Sequence, residues 1–437
     1  MMTKYTVQVK TSNDDQIVAT DTPTNIIDFT LSNGDRALEK YLWMNRDLYH
    51  LEYLPVLVDL YRLAASVFII DKTTPRDTAY DRWTREIVLY VPVSDPQLWQ
   101  KNSDLIIKLL SFLTGDHWQI VFTKDNSVQP QRDERLNKKG HRLDAKSVCL
   151  FSGGLDSFIG AIDQITTHNS VALVAHFDQG HTSKVQKEIY SKIVSRFPSA
   201  AIELMQFFLQ PHSSLENTTR SRSLLFLSLG TIITSSLGVK ELVVPENGLI
   251  SLNVPLTYSR FGSLSTKTTH PNTLKMFNDL LKGLDIDVSV VDPYKFKTKG
   301  EMLTESRDFE FAASVGNETM SCAHATVGRW EGRSPNTHCG YCLPCLIRRA
   351  AFHRNNLDNS EHYTFDVLDP NFLNNDSRKT DDLRAVLYSL EGRKTTPTVT
   401  NILRTGSIFP LGGIDDFCKV YENGLQELEN FLSIYKD

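Results

Sequence analysis

A strand-length apolar run, Ser147-Val148-Cys149-Leu150-Phe151, breaks at Ser152-Gly153-Gly154-Leu155-Asp156-Ser157, and a helical pattern opens behind it. No other stretch limits the possible folds of this chain as tightly. Two glycines between a strand and a helix can take positive φ and let backbone N–H groups approach an anion. The loop lacks the lysine and the longer spacing of Gly-x4-Gly-Lys-Ser/Thr, so a γ-phosphate grip of that kind is not written here. Pyrophosphate is the ligand it suits.

From Ser147 the pattern alternates: strands at 147–151, 171–177, 202–208, 241–244 and 288–291, with helices at 157–167, 184–197 and 222–237. Short β-rich runs separated by helices predict a parallel sheet covered on both faces. Its ligand crevice should lie at the carboxyl ends of the strands. The segments 152–157, 178–181 and 246–248 each follow a strand and should open on one edge. Residues 1–123 mix strand-like and helix-like pieces and predict an α+β domain. Residues 124–146, crowded with Arg132, Asp133, Glu134, Arg135, Lys138, Lys139 and Arg142, read as a charged linker or surface loop. Residues 366–437 read as a mostly helical extension.

With 437 residues, 41% hydrophobic and 23% charged, the composition is that of a soluble globular protein of two or three domains. A net charge of -5 offers no broad attraction to DNA, RNA or an anionic membrane. The start shows no apolar signal region, and the apolar tract 224–239 is too short to span a bilayer, so a cytoplasmic protein is expected. Six cysteines are too few for a disulfide scaffold, and four of them cluster. Cys322, Cys339, Cys342 and Cys345 can meet at one tetrahedral ion. A structural Zn2+ is the first expectation and an iron-sulfur cluster the second.

Ser-Gly-Gly-x-Asp-Ser resembles the signature of the PP-loop ATP pyrophosphatases. Within them the chain is similar to the QueC family of 7-cyano-7-deazaguanine synthases over roughly residues 145–365. It is more similar still to QueC-like proteins of bacterial anti-phage systems, QatC and its type IV CBASS relatives. The resemblance implies a Rossmann-like domain of the HUP (adenine nucleotide α-hydrolase-like) type at 147–365 that carries the zinc lobe and splits ATP between its α- and β-phosphates. The implied ATP-binding residues are Ser152, Gly153, Gly154, Leu155, Asp156 and Ser157. Asp156 is expected near Mg2+ and the phosphates, with Ser152 donating from its hydroxyl. Lys295-Phe296-Lys297-Thr298-Lys299-Gly300-Glu301 resembles the family's Lys-Thr-Lys-x-Glu segment, which makes Lys299 the first candidate to reach the phosphates and Lys297 the second. Arg222 falls at the arginine of the family's Pro-x-Arg-Asn loop. His-Cys-Gly-x-Cys-x-x-Cys around His338 resembles the family's zinc site, although Ala323 to His338 is a longer first gap. Arg348 or Arg349, after the last cysteine, would set this lobe against the nucleotide or lie in solvent.

The long polar segment from Glu246 to Pro271 should line the substrate pocket. Glu246 suits the N–H edge of a guanine-like ring, and Arg260 or Lys267 suits its carboxylate. Gln179 and His181 stand at the place of the family's Tyr-Gly-Gln-x-His loop. The implied reaction is that of an AMP-forming C–N ligase: adenylation of a 7-carboxy-7-deazaguanine, then capture by ammonia or by an amine of a partner protein encoded in a defence operon. Two alternatives remain open, a tRNA-modifying enzyme of the thiolation or lysidine type and a nucleotide-binding module without turnover.

Overall fold

The computed structural model describes residues 4–13, 15, 24–30, 38–178, 180–211, 213–256, 267–334, 337–374, 378–393, 397–406 and 413–435. Two parallel sheets carry the chain. The first contains β1 (Lys4–Lys10), β2 (Thr24–Asp28), β3 (Glu86–Val93) and β4 (His117–Lys124), in the order β2-β1-β3-β4. All its pairings are parallel, so the region expected to be α+β is built as an α/β layer. The connections explain this. Helices Lys40–Leu48 and Pro55–Thr73 lie between β2 and β3, and Pro96–Lys101 and Ser103–Thr114 between β3 and β4; crossovers of that length return the chain parallel to itself.

The second sheet contains β5 (Ser147–Leu150), β6 (Ser170–Phe177), β7 (Ala201–Phe208), β8 (Glu241–Val243) and β9 (Ser289–Val291). Its order is β7-β6-β5-β8-β9, again wholly parallel. Every residue of β5 is buried, as a strand covered on both faces requires. The chain steps outward from β5 through β6 to β7, then returns to place β8 on the other side of β5. That reversal opens a crevice at the carboxyl ends of β5 and β8, where the glycine turn and Glu246 emerge.

Helix Arg222–Ser236 is buried along most of its length and packs against Pro55–Thr73. The two sheets thereby share one continuous apolar core on this side. The opposite face of the second sheet has its own core, which includes Phe158, Ile162 and Phe352. A third core joins the cysteine lobe to the helices Asp381–Gly392, Thr398–Leu403 and Ile414–Phe431. The segment 124–146 is more firmly held than its charge predicts. Arg46 Nη1 donates to Pro130 O at 2.9 Å, Arg132 Nη2 to Leu51 O at 2.6 Å, and Gln129 Nε2 to Tyr53 O at 3.0 Å, while Leu143 and Ala145 are buried. Its side chains bond to backbone carbonyls of the first region and do not simply project into water. No helix among the described residues is long and apolar enough to cross a membrane.

Candidate active site

The turn after β5 is shaped by Gly153, whose φ of +86° favours a residue without Cβ. Ser152 Oγ accepts from Gly154 N at 3.3 Å and lies 3.1 Å from Ser157 Oγ, which donates to Gly154 O at 2.9 Å. Gln186 Nε2 braces the turn from behind by donating to Ser152 O and His176 O, at 3.3 and 3.2 Å. The following helix, Leu155–His168, begins without a side-chain cap. Its first-turn N–H groups and positive dipole end are therefore available to an anion.

Beside this turn lies a cavity of about 720 Å³. Ser152, Ser157, Asp178, His181, Arg222 and Glu246 line it, together with Lys72 from the first region. Met320 to Ala323 form the wall nearest the cysteine lobe, and Met320 N donates to Gly153 O at 2.8 Å. Arg222 is aimed by donating from Nε to His176 Nδ1 at 3.3 Å and from Nη2 to His176 O at 3.2 Å. Burial and the neighbouring guanidinium push the His176 imidazole down to about 3, so it is the neutral acceptor Arg222 needs.

Directly behind the turn, the buried Lys299 ammonium pairs with Asp156 Oδ1, and Asp156 Oδ2 accepts from Asn247 Nδ2 at 2.7 Å. Burial raises the Asp156 carboxyl, but Lys299 and the hydrogen bonds from Glu246, Lys299 and Asn247 outweigh it and hold the group ionised, below the usual carboxylate range. Burial and the Asp156 charge drive the Glu246 carboxyl the other way, well above its ordinary value. Burial, Lys299 and mutual repulsion thus push the two carboxyls in opposite directions. Asp292, also buried, is raised to about 8 by burial; its Oδ1 accepts from Tyr294 N at 2.9 Å.

Several expected residues sit elsewhere. Lys297 points away from the cavity and pairs with Glu305 at 2.7 Å, so of the two lysines only Lys299 reaches the turn. Lys267 is not in the cavity wall, although Thr268 and Thr269 are; its ammonium lies 3.9 Å above the Phe112 ring, in a separate small chamber. Gln179 and Arg260 lie outside the described residues. Asp156 does not stand free beside a metal, because both its oxygens are engaged. Arg348 and Arg349 are both buried: Arg348 donates to Thr319 Oγ1 and Gly316 O, and Arg349 pairs with Asp358 and Asp366 at 2.8 and 2.7 Å. Neither is a solvated helix residue.

Sequence reasoning missed Lys72 and the wall segment Asn217 to Thr219. Lys72, in the last turn of Pro55–Thr73, pairs with Asp178 at 3.4 Å. The wall segment is mounted on the same helix end: Leu215 N and Glu216 N donate to Lys72 O, and Thr218 and Ser221 hydroxyls donate to Asp71 Oδ2 at 3.0 and 2.9 Å. The adjacent charges Asp71-Lys72, closing the apolar run that follows Arg62, were the signal available.

Cys322, Cys339, Cys342 and Cys345 place their sulfurs within 4.8 Å of one another, none in a disulfide. A zinc ion bonded at about 2.3 Å to four thiolates sets their sulfurs about 3.8 Å apart. The pairs Cys339–Cys345 and Cys322–Cys342 stand at 3.8 and 3.9 Å. Gly340, at φ +89°, makes the tight knuckle; a Cβ there would meet Phe365 O at 2.1 Å. Backbone N–H groups of Cys339 and Cys342 donate to the sulfurs of Cys322 and Cys339 at 3.2 and 3.3 Å, which favours thiolates. The set is compatible with a closed zinc site. His324 stacks on Tyr341 and His338 tilts against Tyr363, so neither imidazole belongs to the four.

No protein-family model matches the chain. It is 23% identical over 275 residues to 7-cyano-7-deazaguanine synthase 2 of Sulfurisphaera tokodaii, and 24% identical over 272 residues to the 7-cyano-7-deazaguanine synthase of Sulfolobus acidocaldarius. The chain is a distant relative of these synthases. The matches cover 57% of this chain, which spans about half the length of each relative, 53%.

Proposed function

We propose that the chain is an ATP-dependent cytoplasmic ligase that adenylates the carboxylate of a 7-deazaguanine and passes the acyl group to an amine. One observation carries this reading: an uncapped helix N-terminus behind a glycine turn opens, with Arg222 and Lys72, onto a cavity large enough for a nucleotide beside a second ring. The relatives' names supply the class of ring.

The Ser152–Ser157 turn holds the phosphates. A substrate carboxylate oxygen bonds to the α-phosphorus, the bond from that phosphorus to the bridging oxygen breaks, and pyrophosphate departs. An amine nitrogen then bonds to the acyl carbon, AMP leaves, and the nitrogen gives up a proton. A bare carboxylate is a poor electrophile, and the mixed anhydride corrects this. Lys299 fixes Asp156 against the turn, and Glu246, its carboxyl raised well above the ordinary value, lines the cavity wall. Magnesium supplies charge neutralisation when it arrives with the triphosphate. The Asp156 carboxylate, already engaged, does not fit as its ligand, which leaves that charge to Arg222 and Lys72. The acceptor is ammonia or an amine of a partner protein, and the expected setting is anti-phage defence.

The test is to incubate the chain with ATP, 7-carboxy-7-deazaguanine and either ammonium or a candidate partner, following nucleotides by chromatography and proteins by intact mass. AMP and pyrophosphate are expected, with a new amide. ADP and orthophosphate as the only products would overturn the reading.

A further inference from the structure

Among the described residues that line the large cavity, two are acids, Glu246 and Asp178. A guanine-like ring presents two adjacent N–H donors, and an ionised carboxylate, which only accepts, is the side chain that takes both. On the reading that this cavity holds a 7-deazaguanine, one of these two acids selects the ring.

Glu246, the residue the sequence suggests, stands against Asp156 and near Lys299, and burial with the Asp156 charge raises its carboxyl well above the ordinary value. A carboxyl so raised resists the ionised form that a pair of donors requires. Asp178 is placed differently. It is the first residue after β6, at the carboxyl edge of the sheet where ligand loops gather. Its side chain is 14% exposed, and among the described residues its one hydrogen bond comes from Lys72, to Oδ2 at 3.4 Å. A bond that long leaves most of the acceptor capacity of this carboxylate facing the cavity. Although burial raises the Asp178 carboxyl, Arg222 and Lys72 bring it below its ordinary value, so it is ionised. The same two cations disfavour a magnesium ion at this place, because they repel a divalent charge and do not repel neutral N–H groups.

We propose that Asp178 selects the substrate ring by accepting the two adjacent N–H donors of a guanine-type edge, and that Lys72 holds it in position from the first region. Adenine offers a donor beside a ring acceptor at the corresponding edge, so a carboxylate pairs poorly with it. Lys72 stands on helix Pro55–Thr73 and Asp178 on the central sheet, which gives residues 1–123 a part in choosing what the central domain activates.

The full chain is assayed for pyrophosphate release with ATP and 7-carboxy-7-deazaguanine, and with the analogue lacking the exocyclic amino group. The unaltered chain should favour the parent ring by about tenfold or more in kcat/KM, since a site built for an N–H group rejects the ring without it. Asp178→Asn should raise the KM for the ring, leave that for ATP unchanged, and erase the preference between the two rings. A rise confined to the KM for ATP would assign Asp178 to the ribose hydroxyls and overturn the proposal. So would a preference lost in Glu246→Gln and kept in Asp178→Asn. Should Asp178→Asn fail to fold, Lys72→Gln loosens the same carboxylate; it should raise the ring KM, and an unchanged value would overturn the proposal equally. No pyrophosphate release from the unaltered chain with either ring would fell the proposed function and this inference with it. Release with the ring preference intact in Asp178→Asn would fell this inference alone.

Discussion

Two buried charge clusters in this molecule have opposite characters. In the first region, Asp71 and Asp116 face Arg76 and Arg85, two acids to two guanidinium groups, with Arg85 also donating to Asp71 O and Thr74 O at 3.1 and 2.7 Å. Although burial pushes Asp71 up, Arg85 and Arg76 bring it below its ordinary value. Behind the glycine turn, Asp156 and Glu246 share one ammonium, Lys299, with Asp292 buried beside them, and two of the three acids are raised. The balanced cluster is a rivet. The unbalanced one holds protons and charge that a reaction can use.

The comparison breaks first at Arg85. Replacing it by Met leaves two buried carboxylates short of a partner, and a loss of about 3–5 kcal/mol is expected. Chemical denaturation measures this; an unchanged midpoint would remove the distinction. Lys299→Met is expected to lower pyrophosphate release about 100- to 1000-fold, the scale for a lost electrostatic contact at a reacting group. Single-turnover assays on folded protein check it, and a variant with normal turnover would take Lys299 out of the site. Lys72→Ala should raise the KM for ATP or the deazapurine about tenfold, one charge-assisted contact, with little change in melting temperature. An equal KM would show that the first region does not reach the bound molecules.

The smallest effect is a pH dependence. The folded Asp292 carboxyl titrates near 8, above its unfolded value of 3.8. Its contribution to stability is complete below 3.8 and is lost as pH rises towards 8, because the unfolded chain ionises first. Asp292→Asn should flatten the fall in melting temperature between pH 5 and 8 by a few degrees, and parallel wild-type and variant curves would deny that Asp292 is the buried acid responsible.

Much of the second sheet was legible because β5, β6 and β7 and their helices are local patterns ending in glycine or polar loops. The turn and the four cysteines were legible for the same reason, as their residues lie close in sequence. What escaped were contacts made at a distance. Lys72 reaches the cavity only because Pro55–Thr73 packs on Arg222–Ser236, and no periodicity encodes that approach. Lys267 and Thr268 are neighbours that face different spaces, a choice made by Phe112 and Arg220 arriving from elsewhere. The wholly parallel first sheet was hidden because strands and helices in that order fit parallel and mixed sheets alike.

Helix Ile414–Phe431 carries Glu427, which accepts from the Thr298 hydroxyl and from Arg354 Nη1, while Asn423 Nδ2 donates to Glu301 Oε1 at 3.0 Å. Thr298 and Glu301 form the capping box that starts the short helix bearing Lys299. A helix from the far part of the chain thus seats the lysine behind the glycine turn. Loosening that helix should therefore free Lys299 from Asp156 while leaving the turn itself intact.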